Sequence, residues 1–216
     1  MIIGLVGYAG VGKSEVAKII QKLEPGWEIK GFSQPLKQVA EILTGIPAST
    51  MDDQDVKSQN LSPEWETWGY RGRNDGNLVQ PHFTGEAYRK SMTVRELLQK
   101  LGTEAVRNNL HEDAWVNALF STYRPHKMSQ YNPSKWIIQD VRFPNELHAI
   151  KEHGGIVVRV TRPFYKPVNG HPSETALEDY LFEYYINNNG DLNYLESQVK
   201  KFLNDRRIKE SVRIPG

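Results

Sequence analysis

The apolar positions change period several times along the chain, and each change marks an element. Residues 2–6 (IIGLV) are apolar and partly β-branched without alternation, the pattern of a strand buried on both faces. A helical period follows from Lys13 to Leu23, with Val16, Ile20 and Leu23 on one side. Residues 27–32 predict a second, weaker strand. Ser33 is placed to cap a helix over 33–43 whose inward set is Leu36, Val39, Ala40 and Leu43.

Between residues 52 and 91 the periodicity is lost. The stretch is polar and rich in Gly, Asn and Asp, with one short helix predicted at Ser62-Pro63. A segment of this kind inside a compact domain is either disordered or a binding insert, and Trp65, Trp68 and Tyr70 favour the insert. Thr93-x-x-Glu96 is a capping box opening a helix with Val94, Leu97, Leu98, Leu101 and Ala105 inward. Another helix is expected after Asp113. Residues 136–141 read as an apolar strand, and Pro144 starts a helix closed by Gly154-Gly155. Residues 156–160 and 184–186 predict two further strands. Ser173 caps a helix from Glu174, and Asp191 opens a terminal helix using Leu192, Leu195, Val199 and Phe202. There is no internal repeat.

Composition narrows the class. The chain has 216 residues, enough for one domain with a sizeable core, and a formal net charge of +1. No general basic field argues for long nucleic acid, although a small anion needs only a local cluster of cations. The absence of cysteine excludes disulfides, thiolate metal sites and cysteine nucleophiles. No apolar run reaches the length of a membrane span, and the N-terminus lacks a basic leader, so a cytoplasmic location is expected.

Gly7-Tyr8-Ala9-Gly10-Val11-Gly12-Lys13-Ser14 fits G-x-x-x-x-G-K-[ST], with a strand before it and an amphipathic helix after. Glycines let the backbone N–H groups turn inward onto phosphate oxygens, and the helix N-terminus adds partial positive charge. The expected phosphate contacts run over Gly7, Ala9, Gly10, Val11, Gly12, Lys13, Ser14 and Glu15. Lys13 would reach the β- and γ-phosphates of ATP, and Ser14 would bind Mg2+. With strands alternating with helices, this predicts an α/β fold: a P-loop NTPase-type parallel sheet with helices on both faces.

The guanine and switch motifs of a GTPase, N-K-x-D and D-x-x-G, are absent. A short chain with a polar insert and scattered arginines suits a small-molecule kinase. The blocks Met92-Thr93-Val94-Arg95-Glu96-Leu97-Leu98-Gln99, Leu101-Gly102-Thr103-Glu104 with Arg107, Asp113-x-Trp115-Val116 and Asp140-Val141-Arg142-Phe143-Pro144-Asn145-Glu146 are more specific. With the phosphate loop, the VVRV strand before Arg162-Pro163 and His171-x-Ser173-Glu174, the chain resembles the bacteriophage-type deoxynucleoside monophosphate kinases. The resemblance covers most of the chain outside 52–91. It implies transfer of the ATP γ-phosphoryl group to a dNMP, with both substrates small molecules.

Several residues then become candidates, each with a structural reading beside it. Asp140 ends a strand near the loop, where it would hold magnesium or orient the acceptor, or else cap the helix that starts at Pro144. Arg142, at the sheet's carboxyl edge, would bind phosphate or pair with Glu146, itself a candidate acceptor contact. Arg95, Thr103, Glu104 and Arg107 are acceptor candidates, Arg107 being favoured by the resemblance and equally placed to complement a helix end. Arg71 and Arg73, among aromatic residues, would hold the acceptor or simply be solvated. Trp115 is a stacking wall or a core residue, and Arg162 a catalytic lid arginine. Asn187-Asn188-Asn189 would contact adenine or form a turn. Residues 52–91 are expected to be a mobile acceptor-binding insert and 162–173 a lid loop, within one domain that allows a homodimer. The alternatives are a kinase for another phosphorylated acceptor, such as dephospho-coenzyme A, and a non-catalytic nucleotide-binding module.

Overall fold

The structure is a computed structural model that describes residues 1–70, 87–125, 133–164 and 175–212. In chain order its elements are β1 (Ile2–Val6), α1 (Lys13–Leu23), β2 (Glu28–Lys30), α2 (Ser33–Thr44), α3 (Gln54–Ser58), β3 (Thr67–Tyr70), β4 (Ala87–Lys90) and α4 (Val94–Gln99). A π-helical stretch, Lys100–Arg107, continues from α4. Then come α5 (Ala114–Phe120), β5 (Trp136–Val141), α6 (Pro144–Glu152), β6 (Ile156–Thr161), β7 (Tyr184–Asn187) and α7 (Leu192–Val212). The chain divides into two compact units, Met1–Gln34 with Asp113–Gly216, and Pro35–Glu112.

The first unit is built on a five-stranded sheet ordered β2-β5-β1-β6-β7, all of its neighbours parallel. β1 lies at the centre, and successive residues serve opposite faces. Ile3 and Leu5 join a core with Val16 and Ile20 of α1 and Leu195, Val199 and Phe202 of α7. Ile2 and Val6 join a second core with Val116 and Leu119 of α5 and Leu147 and Ile150 of α6. Burial on both faces is why the strand shows no polar alternation.

One irregularity matters for the site. β1 pairs with β5 as Ile2–Trp136, Ile3–Ile137 and Gly4–Ile138, then resumes at Val6–Val141. Two residues of β5, Gln139 and Asp140, therefore stand opposite Leu5 alone. This is a β-bulge, which re-aims the side chain at that point.

The second unit has a small core of Ala40, Met51, Leu61, Val94 and Leu97, with Trp65, Leu98 and Leu101 packed against it. β3 and β4 form an antiparallel ribbon. The expected capping box is present: Thr93 Oγ1 accepts from the Glu96 N–H at 3.2 Å, and Glu96 accepts from the Thr93 N–H at 2.8 Å.

Two helix faces differ from expectation. In α2 only Ala40 is buried, whereas Val39 and Leu43 are 36% and 48% exposed. The small core of this unit accommodates one narrow contact rather than a full apolar stripe. The second helix keeps an α period only to Gln99. Beyond it the Asn108 N–H bonds the Thr103 carbonyl and the His111 N–H the Val106 carbonyl, five residues back. The wider turn changes which residues face inward, and Ala105 is exposed. The helix expected from Glu174 begins outside the described residues, and 176–179 are turns.

Candidate nucleotide-binding site

The glycine-rich turn joins the carboxyl end of β1 to α1, at the sheet's centre. Gly10 and Gly12 have φ of 79° and 101°, left-handed values that favour glycine, and Gly12 is the N-cap of α1. Lys13 Nζ donates to the carbonyls of Gly7 at 2.6 Å and Tyr8 at 2.8 Å, so the ammonium arches over the loop. Ala9, Gly10 and Ser14 are exposed, the last in the first turn of an 11-residue helix. That arrangement offers backbone donors, a helix N-terminus and one cation to an anionic group. Glu15 faces the other way in charge, pairing with Lys18 at 3.4 Å.

The floor of the loop is made by a residue assigned above to adenine or a turn. Asn188 is buried, and its Nδ2 donates to the Val11 carbonyl at 2.9 Å. Its backbone N–H donates to the Thr161 carbonyl at 2.7 Å, fixing it to the end of β6. A Cβ on Gly12 would lie 2.5 Å from Asn188 Nδ2, so the close approach needs glycine there.

Asp140, displaced by the bulge, turns to the segment after β2. Its Oδ1 accepts from the Phe32 N–H at 2.8 Å, and its Oδ2 from the Ser33 N–H at 2.9 Å and the Ser33 hydroxyl at 2.7 Å. The opening of α2 is thus capped from β5. Gly31 permits this contact, since a Cβ there would sit 2.8 Å from Asp140 Oδ2. With two lone pairs per oxygen, Oδ2 is fully engaged and Oδ1 keeps one.

Two residues on, Arg142 is exposed at the strand's carboxyl edge, and its backbone N–H donates to Glu146 at 2.7 Å. Glu146 also accepts from the Phe143 N–H at 3.2 Å and is 2% exposed, so its carboxylate closes the start of α6. Trp115 is 7% exposed, a buried position in α5. Arg162 is exposed directly after β6.

Sequence reading missed Arg159. It interrupts the apolar run of β6, where Val158 and Val160 are buried, and that interruption was the available signal. Its guanidinium lies over the Tyr8 ring at 5.7 Å and the Phe182 ring at 5.5 Å. Nη1 donates to the Leu177 carbonyl at 2.7 Å and the Glu178 carbonyl at 3.3 Å. Tyr8 Oη donates to Glu178 Oε1 at 2.5 Å, and that bond, with burial, raises the phenol above its ordinary range. Val6, Gly7, Tyr8, Val141, Arg142, Arg159 and Leu177 line one cleft.

The remaining candidates lie in the second unit. Arg95 is exposed and donates to Gln54 Oε1 at 2.7 Å. Thr103, Glu104 and Arg107 sit on the π-helical stretch, Thr103 and Arg107 half-buried and Glu104 exposed. Arg71 and Arg73 are outside the described residues, as are residues 71–86 of the expected insert and 165–173 of the expected lid.

Magnesium fits this residue set in one respect. The ion keeps most of its water and binds through one or two protein oxygens plus substrate phosphates, and the exposed Ser14 hydroxyl supplies such an oxygen beside the loop. Among the described residues no acidic or imidazole cluster forms a metal cage. None of their helices is long and apolar enough to cross a membrane.

A parallel sheet with a glycine-rich loop running from its central strand into a helix, and an arginine-lined cleft beside that loop, defines a P-loop nucleotide-binding protein. Residues 77–199 match the family model for deoxynucleotide monophosphate kinase, and the chain belongs to that family. It is 24% identical over 243 residues to the deoxynucleoside-5′-monophosphate kinase of Escherichia phage T5, covering 94% of this chain and 95% of that protein. Identity to the deoxynucleotide monophosphate kinase of Enterobacteria phage T4 is 32% over 111 residues, 51% of this chain and 45% of that protein. A protein of Acanthamoeba polyphaga mimivirus, provisionally named for the same activity, is 27% identical over 212 residues, 92% of this chain and 94% of that one.

Proposed function

We propose that the protein transfers the γ-phosphoryl group of ATP to the phosphate of a deoxynucleoside monophosphate, giving ADP and dNDP. The observation that carries this reading is the Gly7–Ser14 loop at the carboxyl end of β1 with Arg142 beside it, in a chain of this family.

The loop's backbone N–H groups and the start of α1 hold the donor phosphates, and Lys13 leaves its carbonyl partners to neutralise charge on the group in transfer. Ser14 would hold Mg2+, which when bound would add charge neutralisation on the same phosphates. Asp140 would help to hold the ion or orient the acceptor, and it also fixes the 31–33 turn. Arg142 takes the acceptor phosphate, because a guanidinium fork matches paired phosphate oxygens. Arg107 is assigned the same group, and Arg71, Arg73, Arg95, Thr103, Glu104 and Trp115 other acceptor contacts, from the sequence alone, as Arg162 is assigned to the transferring group. The acceptor is already an anion, so no strong general base is needed. Since the named relatives are viral, we place the reaction in the cytoplasm of an infected host.

Coupled ADP release, measured with all four dNMPs, their ribonucleotide counterparts and dephospho-coenzyme A, tests this reading. Turnover with one or more dNMPs is expected. Turnover with dephospho-coenzyme A alone, or ATP binding without turnover on any acceptor, would overturn it.

A further inference from the structure

Arg159 carries an inference that the phosphate loop does not. A charged residue in the middle of a strand of a buried sheet needs compensation, yet Arg159 makes no ion pair with a carboxylate among the described residues. Glu178 is the acid nearest in this cluster, and it is taken by the Tyr8 hydroxyl. Compensation comes instead from neutral groups: two ring faces and two backbone carbonyls, the carbonyls both reached through Nη1. The carbonyl bonds use Nη1, and the Tyr8 hydroxyl also bonds the guanidinium. The guanidinium lines the cleft shared with Gly7 and Arg142, with no carboxylate ion pair among the described residues.

We infer that Arg159 is a phosphate-binding residue, pairing with Arg142 to hold the phosphate of the acceptor nucleotide. This rests on the kinase reading above. Tyr8 and Phe182 act as the clamp that fixes the plane of the guanidinium, so its fork meets two phosphate oxygens without first losing rotamer freedom. The acceptor side is favoured over the donor side by position. The donor is gripped by the backbone of residues 7–14, whereas Arg159 stands on β6, opposite Val6 of β1, and lines the same cleft as Arg142 across that strand.

The test compares Arg159→Gln and Arg159→Lys with the unaltered protein in steady-state kinetics, with thermal melting as a control. Loss of a charge-assisted pair is expected to raise the acceptor KM by about tenfold or more, while the ATP KM stays within about twofold. Lysine should recover part of the loss, since it restores the charge without the fork. A raised ATP KM with an unchanged acceptor KM would overturn the assignment, as would a lowered Tm with both constants unchanged, which would leave Arg159 as a tether for residues 177–178. A measurement on the unaltered protein covers the case in which the variants do not fold. Phenylglyoxal labelling of Arg159, followed by mass spectrometry, should be blocked by dNMP and by inorganic phosphate but not by the nucleoside. Labelling unaffected by either anion would sink the proposal. That readout needs no turnover, so a protein inactive on every dNMP would refute the kinase reading separately.

Discussion

The Asn188 amide donates to the Val11 carbonyl at 2.9 Å, joining the end of β7 to the phosphate loop. The bond gives that buried carbonyl a donor. Asn188→Ala is expected to cost about 1–3 kcal/mol of stability, because a buried carbonyl loses its donor. ATP affinity should fall with it, whereas dNMP affinity should not. Chemical denaturation and separate titrations with a non-hydrolysable ATP analogue and with dNMP check both parts.

Lys13→Ala should fold normally, since the Lys13 Nζ bonds described above go to carbonyls of the glycine-rich turn. Its kcat is expected to fall about 100-fold or more, the scale seen when a donor to transition-state charge is removed. Near-normal turnover in the folded variant would exclude the loop as the catalytic centre.

Asp140 and Ser33 can be separated. Ser33→Ala removes one of three bonds to the carboxylate and should cost about 1 kcal/mol. Asp140→Asn sets an amide among backbone N–H donors and should cost about 2–3 kcal/mol. If Asp140 also serves the metal or the acceptor, kcat falls far more in Asp140→Asn than in Ser33→Ala. Equal, small changes in kcat would confine it to capping α2.

Acid stability should depend on Glu24. Burial pushes its carboxyl up, but the Trp27 indole bond and the Arg206 and Arg207 guanidinium groups outweigh this and hold it below the usual range. A carboxyl lowered on folding contributes stability that is complete above the unfolded value, about 4.3, and is lost as pH falls through the folded value. Melting between neutral pH and about pH 3 should therefore show a steeper acid decline in the unaltered protein than in Glu24→Gln. Parallel curves would remove Glu24 from the account.

What could be read from sequence was local. The phosphate loop, the capping box at Thr93 and the strands of the first unit each depend on residues close in the chain, and each was found in place. Roles that depend on register were not legible. Asp140 caps α2 because β5 gains a residue opposite Leu5, and nothing in the spacing of β5 announces the bulge. The ring partners of Arg159 come from the phosphate loop and from the segment before β7, so the sequence offered only an arginine where a valine would suit. The α2 face misled because an apolar stripe records what could be buried, while the neighbouring core decides what is.

The π-helical stretch Lys100–Arg107 has a consequence for aim. In an α-helix each residue advances the azimuth by about 100°, so taking one residue into or out of a widened turn rotates everything beyond it by that amount. Arg107 ends the stretch, and its bearing around the helix axis is set by whether the preceding turns close on the fourth or the fifth carbonyl. Tightening a single turn would swing that guanidinium through about a quarter of a circle with little travel along the axis, as a turnstile moves without leaving its post.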